Sequence, residues 1–265
     1  NRDRITISHF AARSGPGQIN VRGSASHSGG KISGFEATVR GNRFQAVRLP
    51  ELTMLVSPDI NIRGDTKRVV VRGSVLIPEA LVREQQKEDL VKSSPDVVIV
   101  GQEEAHEKLP FELDLLVAVR MGDKVAIKAY GIDTRLTGAV DISMAGPEDI
   151  RVRGAIKTQE GKYDAYGVRL NVRRGNVSFG GGPVKNANLD ILALRRIQEP
   201  DKGVVQAGVL VTGTPDKPAV KLYSQPAMQD MDILSYIVLG RPGGPGGQGD
   251  TALLARAASG LLAGS

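Results

Sequence analysis

The sequence has no cysteine and no tryptophan, and aromatic residues make up only 4% of its 265 residues. Without cysteine, no disulfide can stabilise the fold and no thiolate can act as a nucleophile or a metal ligand. Because aromatic rings are scarce, the interior must be built mainly from Val, Ile, Leu and Ala. Such an interior is a smooth aliphatic surface, which suits acyl chains as well as ordinary core packing.

Long hydrophobic runs are also absent. No run of about eighteen or more apolar residues occurs, so no segment reads as a helix that spans a bilayer. The chain opens with Asn1 and continues directly into strand-like sequence, with no signal peptide. We therefore expect the chain to be a fragment of a larger protein.

The chain is basic, with a formal net charge of +6 and a pI of about 9.6. Nucleic-acid binding is disfavoured, because the basic residues are scattered along the chain and no set of stacking aromatic residues accompanies them. An anionic membrane surface or lipid headgroup fits scattered arginines better, although a solvated face accounts for most of them.

The dominant pattern is a series of alternating segments that runs from Phe111 to Leu222. Apolar residues take the odd positions in residues 111–129 and the even positions after Gly131. Successive side chains of a strand point to opposite faces, so this period of two predicts strands with one apolar and one polar face. Residues 1–77 contain further strand candidates, and the predicted fold class is all-β.

A short signature recurs in which an apolar residue and a polar residue precede a glycine. It occurs at 21–23, 62–64, 71–73 and 152–154, with related triplets at 136–138 and 211–213. A glycine in a strand interior suits a bend or a bulge where the strand follows a curved sheet. The spacing is irregular, so the signature does not indicate a solenoid of fixed period.

The alternation predicts an elongated β groove over residues 1–225, interrupted by a charged excursion near residues 79–108. Residues 226–240 read as a short helix, with Asp230 as N-cap and Gly240 as its stop. Residues 241–249 read as a Gly/Pro linker. Residues 250–265 read as a truncated amphipathic helix. Its predicted apolar side carries Leu253, Leu254, Ala257, Ala258, Leu261 and Leu262.

Residues for catalysis or metal binding are scarce. The three histidines, His9, His27 and His106, lie in polar sequence that reads as loops and share no metal-ligand spacing. Carboxylates such as Asp114 and Asp141 alternate outward on predicted strands, where solvation is their default role. We therefore predict no enzymatic activity, no metal site and no cofactor.

Four stretches together resemble the C-terminal region of the TamB family: residues 41–64, 121–142, 161–195 and 208–242. The last two stretches carry specific motifs. These are Tyr163-x-x-Tyr166-Gly167, Arg174-Gly175 with Phe179, Gly213-Thr214 with Pro218, and Leu234-Ser235-Tyr236 followed by Gly240-Arg241-Pro242. The resemblance spans residues 40–262 and is weak over residues 1–40.

The resemblance implies a long, open, U-shaped sheet with an aliphatic concave interior, called a β-taco, plus one or two short C-terminal helices. It relates the chain to AsmA-like and bridge-type lipid-transfer proteins. It also implies a periplasmic protein that is anchored in the inner membrane when full length, with this region near the outer membrane. The partners implied are phospholipid in the groove, both membranes, and an Omp85-type outer-membrane protein, TamA.

Two functional hypotheses follow, with a closed β-sandwich binding domain as a third possibility. The first is a segment whose hydrophobic groove shields the acyl chains of moving phospholipids. A near absence of inward charge would favour such transit. The second is an assembly or docking module that binds the Omp85-type partner by β-augmentation. The predicted groove lining is Leu113, Leu115, Val117, Val119, Val125, Ile127, Leu136, Val140, Ile142, Val168, Leu170, Val172, Val209 and Val211.

Overall fold

The computed structural model describes residues 4–28, 31–84, 111–146, 149–165, 167–200, 203–243, 252–255 and 257–259. The strands are β1 (Arg4–Ser14), β2 (Gly17–Ser28), β3 (Lys31–Asn42), β4 (Phe44–Arg48), β5 (Leu52–Gly64), β6 (Arg68–Arg83), β7 (Glu112–Ala129), β8 (Ile132–Ala145), β9 (Ile150–Ala165), β10 (Val168–Gly182), β11 (Asn188–Glu199), β12 (Gly203–Thr214) and β13 (Lys217–Gln225). A 3-10 turn covers Val184–Asn186, and helix α1 covers Asp230–Val238.

The strands of the described ranges form one open sheet, in the order β1-β2-β3-β5-β6-β7-β8-β9-β10-β11-β12-β13, with β4 also paired to β5. The predicted all-β open sheet with short C-terminal helices is therefore confirmed. Neighbouring strands are antiparallel except β6 and β7, which run parallel. Parallel neighbours need a crossover connection, and residues 85–110, which make it, lie outside the described residues.

The strand register places the predicted apolar positions on one face of the sheet. Val119 of β7 lies opposite Val140 of β8, and Ile142 lies opposite Val152 of β9. Directly opposed residues share a face, so the switch from odd to even apolar positions after Gly131 is what an antiparallel hairpin requires. We call this side the apolar face and the opposite side the polar face.

Any charged excursion begins later than predicted, because strand β6 continues to Arg83. Its last residues, from Glu79 to Arg83, stay in the sheet after a register irregularity between Ile77 and Glu79, and they pair with both β5 and β7. This stretch is rich in helix-forming residues, but two flanking strands satisfy its backbone groups and outweigh that local preference. Residues 85–108 of the predicted excursion lie outside the described residues.

Ion pairs on the polar face join the two parallel strands. Asp114 of β7 accepts hydrogen bonds from Arg72 at 2.8 Å and from Arg68 at 3.0 Å, both on β6. These two guanidinium groups, Arg72 first, hold the pKa of the Asp114 carboxyl below its ordinary value. The carboxylate therefore stays charged at neutral pH and favours this particular alignment of β6 with β7.

Two glycines of the recurring signature allow strands β8 and β9 to approach closely. Gly138 has φ +135° and Gly154 has φ +131°. A Cβ atom on Gly154 would lie 2.3 Å from the carbonyl oxygen of Ala139, and one on Gly138 would lie 2.2 Å from that of Ala155. Both positions therefore require glycine, for the backbone conformation and for the space.

Helix α1 begins one residue earlier than the predicted N-cap implied. Its N-cap is Gln229, not Asp230, and no side chain caps it by a hydrogen bond; Asp230 is the first helical residue. The helix ends as expected near Gly240, which has φ +72° and donates its N–H to the carbonyl of Tyr236. α1 packs against β10, β11, β12 and β13. In the described part of the chain, no helix is long and apolar enough to cross a bilayer.

A second helical segment comprises residues 252–255 and 257–259. Ala257 is fully buried and belongs to the same apolar cluster as α1. Leu253, expected on the buried side, is instead half exposed. Linker residues 244–249, and Leu261 and Leu262 of the predicted helix, lie outside the described residues.

Candidate functional site

The apolar face forms an uninterrupted row across eight strands. Each residue of the row lies directly opposite the next one on the neighbouring strand. The row consists of Ile7, Gly23, Ala37, Ile62, Val71, Leu115, Met144 and Ile150. With strands about 4.8 Å apart, seven spacings give an apolar surface about 34 Å wide. No side chain in the row carries a charge or a hydrogen-bonding group.

The predicted lining residues all lie in strands, and none is fully exposed. Five are buried: Val117, Val125, Val168, Leu170 and Val209. Nine are half-buried: Leu113, Leu115, Val119, Ile127, Leu136, Val140, Ile142, Val172 and Val211. They divide into two groups. On β7 and β8, Val117 lies opposite Ile142 and Val119 lies opposite Val140. Val168, Leu170 and Val209 instead belong to the cluster under α1.

Helix α1 covers the apolar face over strands β10 to β13. Its residues Ile233, Tyr236 and Ile237 pack in one cluster with Val205 and Ala207 of β12. Tyr236 is the largest fully buried side chain and is 1% exposed. Removing this apolar area from water stabilises the helix on the sheet. Here the face that acyl chains would need is already occupied by the protein itself.

The hydroxyl of Tyr236 is buried and has no hydrogen-bond partner among the residues that the structure describes. Desolvation, with smaller effects from Glu199 and Asp232, raises the pKa of this phenol above its ordinary value. The phenol therefore stays neutral well into the alkaline range. Its neutral ring can remain in an apolar contact that a phenolate could not tolerate.

Arg195 of β11 is a charged residue on the apolar face, which the sequence analysis missed. It lies opposite Ala207 and donates hydrogen bonds to the carbonyls of Ile237 at 3.1 Å and Val238 at 3.4 Å. The last turn of α1 has no basic residue of its own, so Arg195 supplies the positive charge that a helix C-terminus favours. The signal was available, because Arg195 has the same parity as Ile191 and Ala193.

The β1 end of the apolar face is far more exposed. Ile5 is 64% exposed and Phe10 is 55% exposed, although both lie on the same face as the buried Val168. These are large apolar side chains in contact with water, and such patches mark sites that bind something. In the described part of the chain, the apolar face is thus covered by α1 at its β13 end and exposed at its β1 end.

Groups for metal or acid–base chemistry are not clustered. Among the residues that the structure describes, no three His, Cys, Asp or Glu side chains could hold a metal ion together. His9 and His27 lie in strands β1 and β2, not in the loops that the sequence suggested. His27 pairs with Ile32 of β3, and His9 lies at the register irregularity between Ile7 and Phe10. His106 lies outside the described residues. Asp114 and Asp141 are on the polar face, as expected.

Comparison with known proteins identifies the family. A family model described as the TamB C-terminal domain matches residues 8–265, which is nearly the whole chain. The chain belongs to this family. The predicted resemblance is thereby confirmed, and the match includes residues 8–40, over which the resemblance in sequence was weak.

A relative of this TamB C-terminal domain is the translocation and assembly module subunit TamB of Haemophilus influenzae. The two are 27% identical over 237 residues, which cover 84% of this chain and 18% of the relative. The chain therefore spans less than a fifth of that relative's length. The family match includes both parts of the apolar face, the uncovered β1 end from residue 8 onward and the end under α1.

Proposed function

We propose that this TamB C-terminal domain is a non-enzymatic lipid-transfer segment. Its apolar face would shield the acyl chains of phospholipids that move between the inner and outer bacterial membranes. The observation that carries the proposal is the eight-strand apolar row from Ile7 to Ile150, whose β1 end is left exposed to water. Each Å² of apolar surface removed from water is worth about 25 cal/mol, so an apolar filling of this face is strongly favoured.

The chemistry of the row favours acyl chains over other fillings. Its residues are aliphatic and smooth, and they make no directional contacts that would hold a ligand in one place. Acyl chains can fill such a surface and slide along it. A charged or hydrogen-bonding side chain in the row would instead bind a headgroup and slow movement. The covered end would then be where a lipid meets α1.

The proposal extends to location and partners. We place this region in the periplasm, near the outer membrane, in a longer protein that is anchored in the inner membrane. The relative's name, a translocation and assembly module subunit, supports an assembly partner, and we propose an Omp85-type outer-membrane protein of the TamA kind. The lipid contacts of the two membranes would lie at the two ends of the longer protein.

Leu115 and Leu116 provide a matched test of lipid binding, because they are identical neighbours on opposite faces of β7. Leu115 is half-buried in the apolar row, and Leu116 is 48% exposed on the polar face. We expect Leu115→Asp to lose bound phospholipid, since an unpaired carboxylate among acyl chains costs several kcal/mol. Leu116→Asp should keep it. The measurement is native mass spectrometry with lipid extraction on protein purified from bacterial cells.

Folding must be separated from binding in that test. Circular dichroism and the urea midpoint of each variant show whether the sheet is intact, and Leu115→Asn provides a milder change if the aspartate variant unfolds. A folded, monomeric wild-type protein that carries no lipid would sink the proposal. Equal lipid loss in the Leu115 and Leu116 variants would do the same.

A second candidate function is docking to the outer-membrane partner through strand β13. Within the described residues, β13 pairs only with β12 and ends the sheet, so one edge of its backbone is open to another strand. Successive N–H groups of a strand alternate between its two neighbours. Lys221 and Leu222 are neighbours, so the N–H of one points to β12 and the N–H of the other points to the open edge. Of the variants Lys221→Pro and Leu222→Pro, one therefore removes a hydrogen bond to β12, and the other removes only an N–H at the open edge.

The variant that removes only the N–H at the open edge should fold normally and lose binding to the purified Omp85-type partner in a pull-down. Its lipid content should stay at the wild-type level. The other proline variant breaks the β12 ladder and serves as the control for damage to the sheet. Unchanged binding of the partner by the folded edge variant would rule out docking through β13.

A further inference from the structure

Some charges on the polar face are neutralised locally. Arg40 pairs with Asp59, Arg169 with Asp164, and Arg174 with Asp190, each across a strand pair or within a turn. Such exposed pairs contribute little stability, but they leave no net field. A group of unpaired cations that is gathered in one cleft is a candidate site for an anionic partner.

One cleft on the polar face holds such a group. It spans strands β7 to β11 and has a volume of about 880 Å³. Five cationic side chains that project from the polar face line it: Lys128, Arg135, Lys162, Arg173 and Arg196. Only two carboxylates join them, and both are occupied. Asp133 lies 3.5 Å from Lys128, and Glu160 lies 3.1 Å from Arg135.

Three cations of the cleft remain without an ion pair among the described residues, namely Lys162, Arg173 and Arg196. Strand pairing is continuous across the cleft, since Lys162 of β9 lies opposite Asp133 of β8 and opposite Asn171 of β10. Arg173 is at a β-bulge, where the register of β10 with β11 shifts between Val172 and Arg174. Bulges redirect side chains, and this one adds a cation to the cleft.

We propose that this cleft binds an extended acidic peptide segment of a protein partner. From Lys128 to Leu194, directly opposed residues cross five strands, which at about 4.8 Å per strand is about 19 Å. An extended peptide of about six residues has that length. Guanidinium groups bind carboxylates through paired hydrogen bonds, so Arg173 and Arg196 suit acidic side chains.

An acidic peptide fits the cleft better than a membrane surface does. A bilayer is flat on this scale and touches protruding residues, whereas the cleft is concave and includes Leu194, which is only 4% exposed. A peptide can enter the cleft and direct carboxylates to the cations. The cleft is on the opposite side of the sheet from the proposed lipid surface, so this inference does not depend on lipid transfer.

The test uses fluorescein-labelled hexaglutamate and the whole 265-residue chain. Fluorescence anisotropy at low ionic strength should show binding that weakens as salt is added. The variant K162E/R173E should bind at least about tenfold more weakly, because two charge-assisted contacts become repulsive. Lysine hexapeptide is the probe that should not bind.

A second double variant controls for net charge. R22E/R63E changes the charge by the same amount in another polar-face cavity, of about 600 Å³, where Arg22 and Arg63 also lack ion pairs among the described residues. Its affinity for hexaglutamate should fall less than about twofold. An equal loss of hexaglutamate affinity in both double variants would show that the effect depends only on net charge, and it would overturn the proposal.

Two further results would overturn the proposal. Phosphatidylglycerol vesicles that bind in a K162E/R173E-sensitive way, with no hexaglutamate binding, would identify a membrane-docking surface and overturn the peptide. Should K162E/R173E fail to fold by circular dichroism, K162Q/R173Q replaces it, and the same comparison with R22Q/R63Q applies. Unchanged hexaglutamate affinity in the folded glutamine variant would also overturn the proposal.

Discussion

Tyr236→Ala should lower the free energy of unfolding by about 3–5 kcal/mol, which is the usual loss when a large buried aromatic side chain is truncated. Tyr236 is 1% exposed and fills the contact between α1 and strands β10 to β13. Urea unfolding measures the loss. Hydrogen exchange of the α1 amides should show where it occurs, with the helix opening before the sheet.

Tyr236→Phe is the matched control, and its effect should have the opposite sign. It keeps the ring and removes a buried hydroxyl for which the described ranges provide no hydrogen-bond partner, so a gain in the free energy of unfolding of about 1 kcal/mol is expected. A second graded change, Arg195→Met, removes the hydrogen bonds to the Ile237 and Val238 carbonyls and should loosen α1 less than Tyr236→Ala does. Similar stability of the Ala and Phe variants would contradict the packing of α1 described here.

The raised pKa of Tyr236 predicts the pH dependence of the same contact. A phenol whose pKa is higher in the folded state adds stability at pH values below its unfolded pKa of about 10, and this stability is lost as the pH rises through the folded pKa. The alkaline loss of stability should therefore be smaller in Tyr236→Phe than in the wild type.

Gly154→Ala should lower the free energy of unfolding by about 3 kcal/mol or more, because it combines backbone strain with a steric clash. Gly154 has φ +131°, which side-chain-bearing residues rarely adopt. The added Cβ would lie 2.3 Å from the Ala139 carbonyl oxygen and 2.9 Å from the Val140 Cα, both of which belong to the backbone of β8. Backbone atoms cannot rotate aside, so the two strands must separate. Thermal unfolding gives the measurement.

Gly180 provides the comparison within the same sheet. A Cβ atom there would meet nothing within 4 Å, and its φ is not in the left-handed region. Gly180→Ala should therefore change stability by less than about 0.5 kcal/mol. Equal melting temperatures for the Gly154 and Gly180 variants would mean that β8 and β9 do not approach as described.

The predictable part of the fold came from side-chain alternation. The odd parity of Leu113 to Val119 and the even parity of Leu136 to Ile142 were enough to assign one face, because the direction of a side chain along a strand is a local property. The recurring triplets predicted bends or bulges. Gly138 and Gly154 have positive φ, but both pair in regular register, and the irregularity of β8 with β9 falls between Thr134 and Arg135. The family resemblance likewise rested on local motifs, and it is confirmed.

The errors arose where contacts between distant segments overrode local preference. Residues 79–83 look helical in isolation, but pairing with β5 on one side and β7 on the other makes them a strand. The parity of Arg195 placed it on the apolar face, but no residue near it in sequence explains a charge there. Its partners, the carbonyls of Ile237 and Val238, are 42 and 43 residues away.

The sequence alone therefore determined the all-β class, the existence of one aliphatic face and the helix that ends near Gly240, since each depends on residues close together in the chain. Only the tertiary structure decided the parallel pairing of β6 with β7, the part of the aliphatic face that α1 covers, and the cationic cleft across β7 to β11. These features depend on strand order and register. Strand order and register join residues far apart in sequence, and local periodicity carries no information about which strands become neighbours.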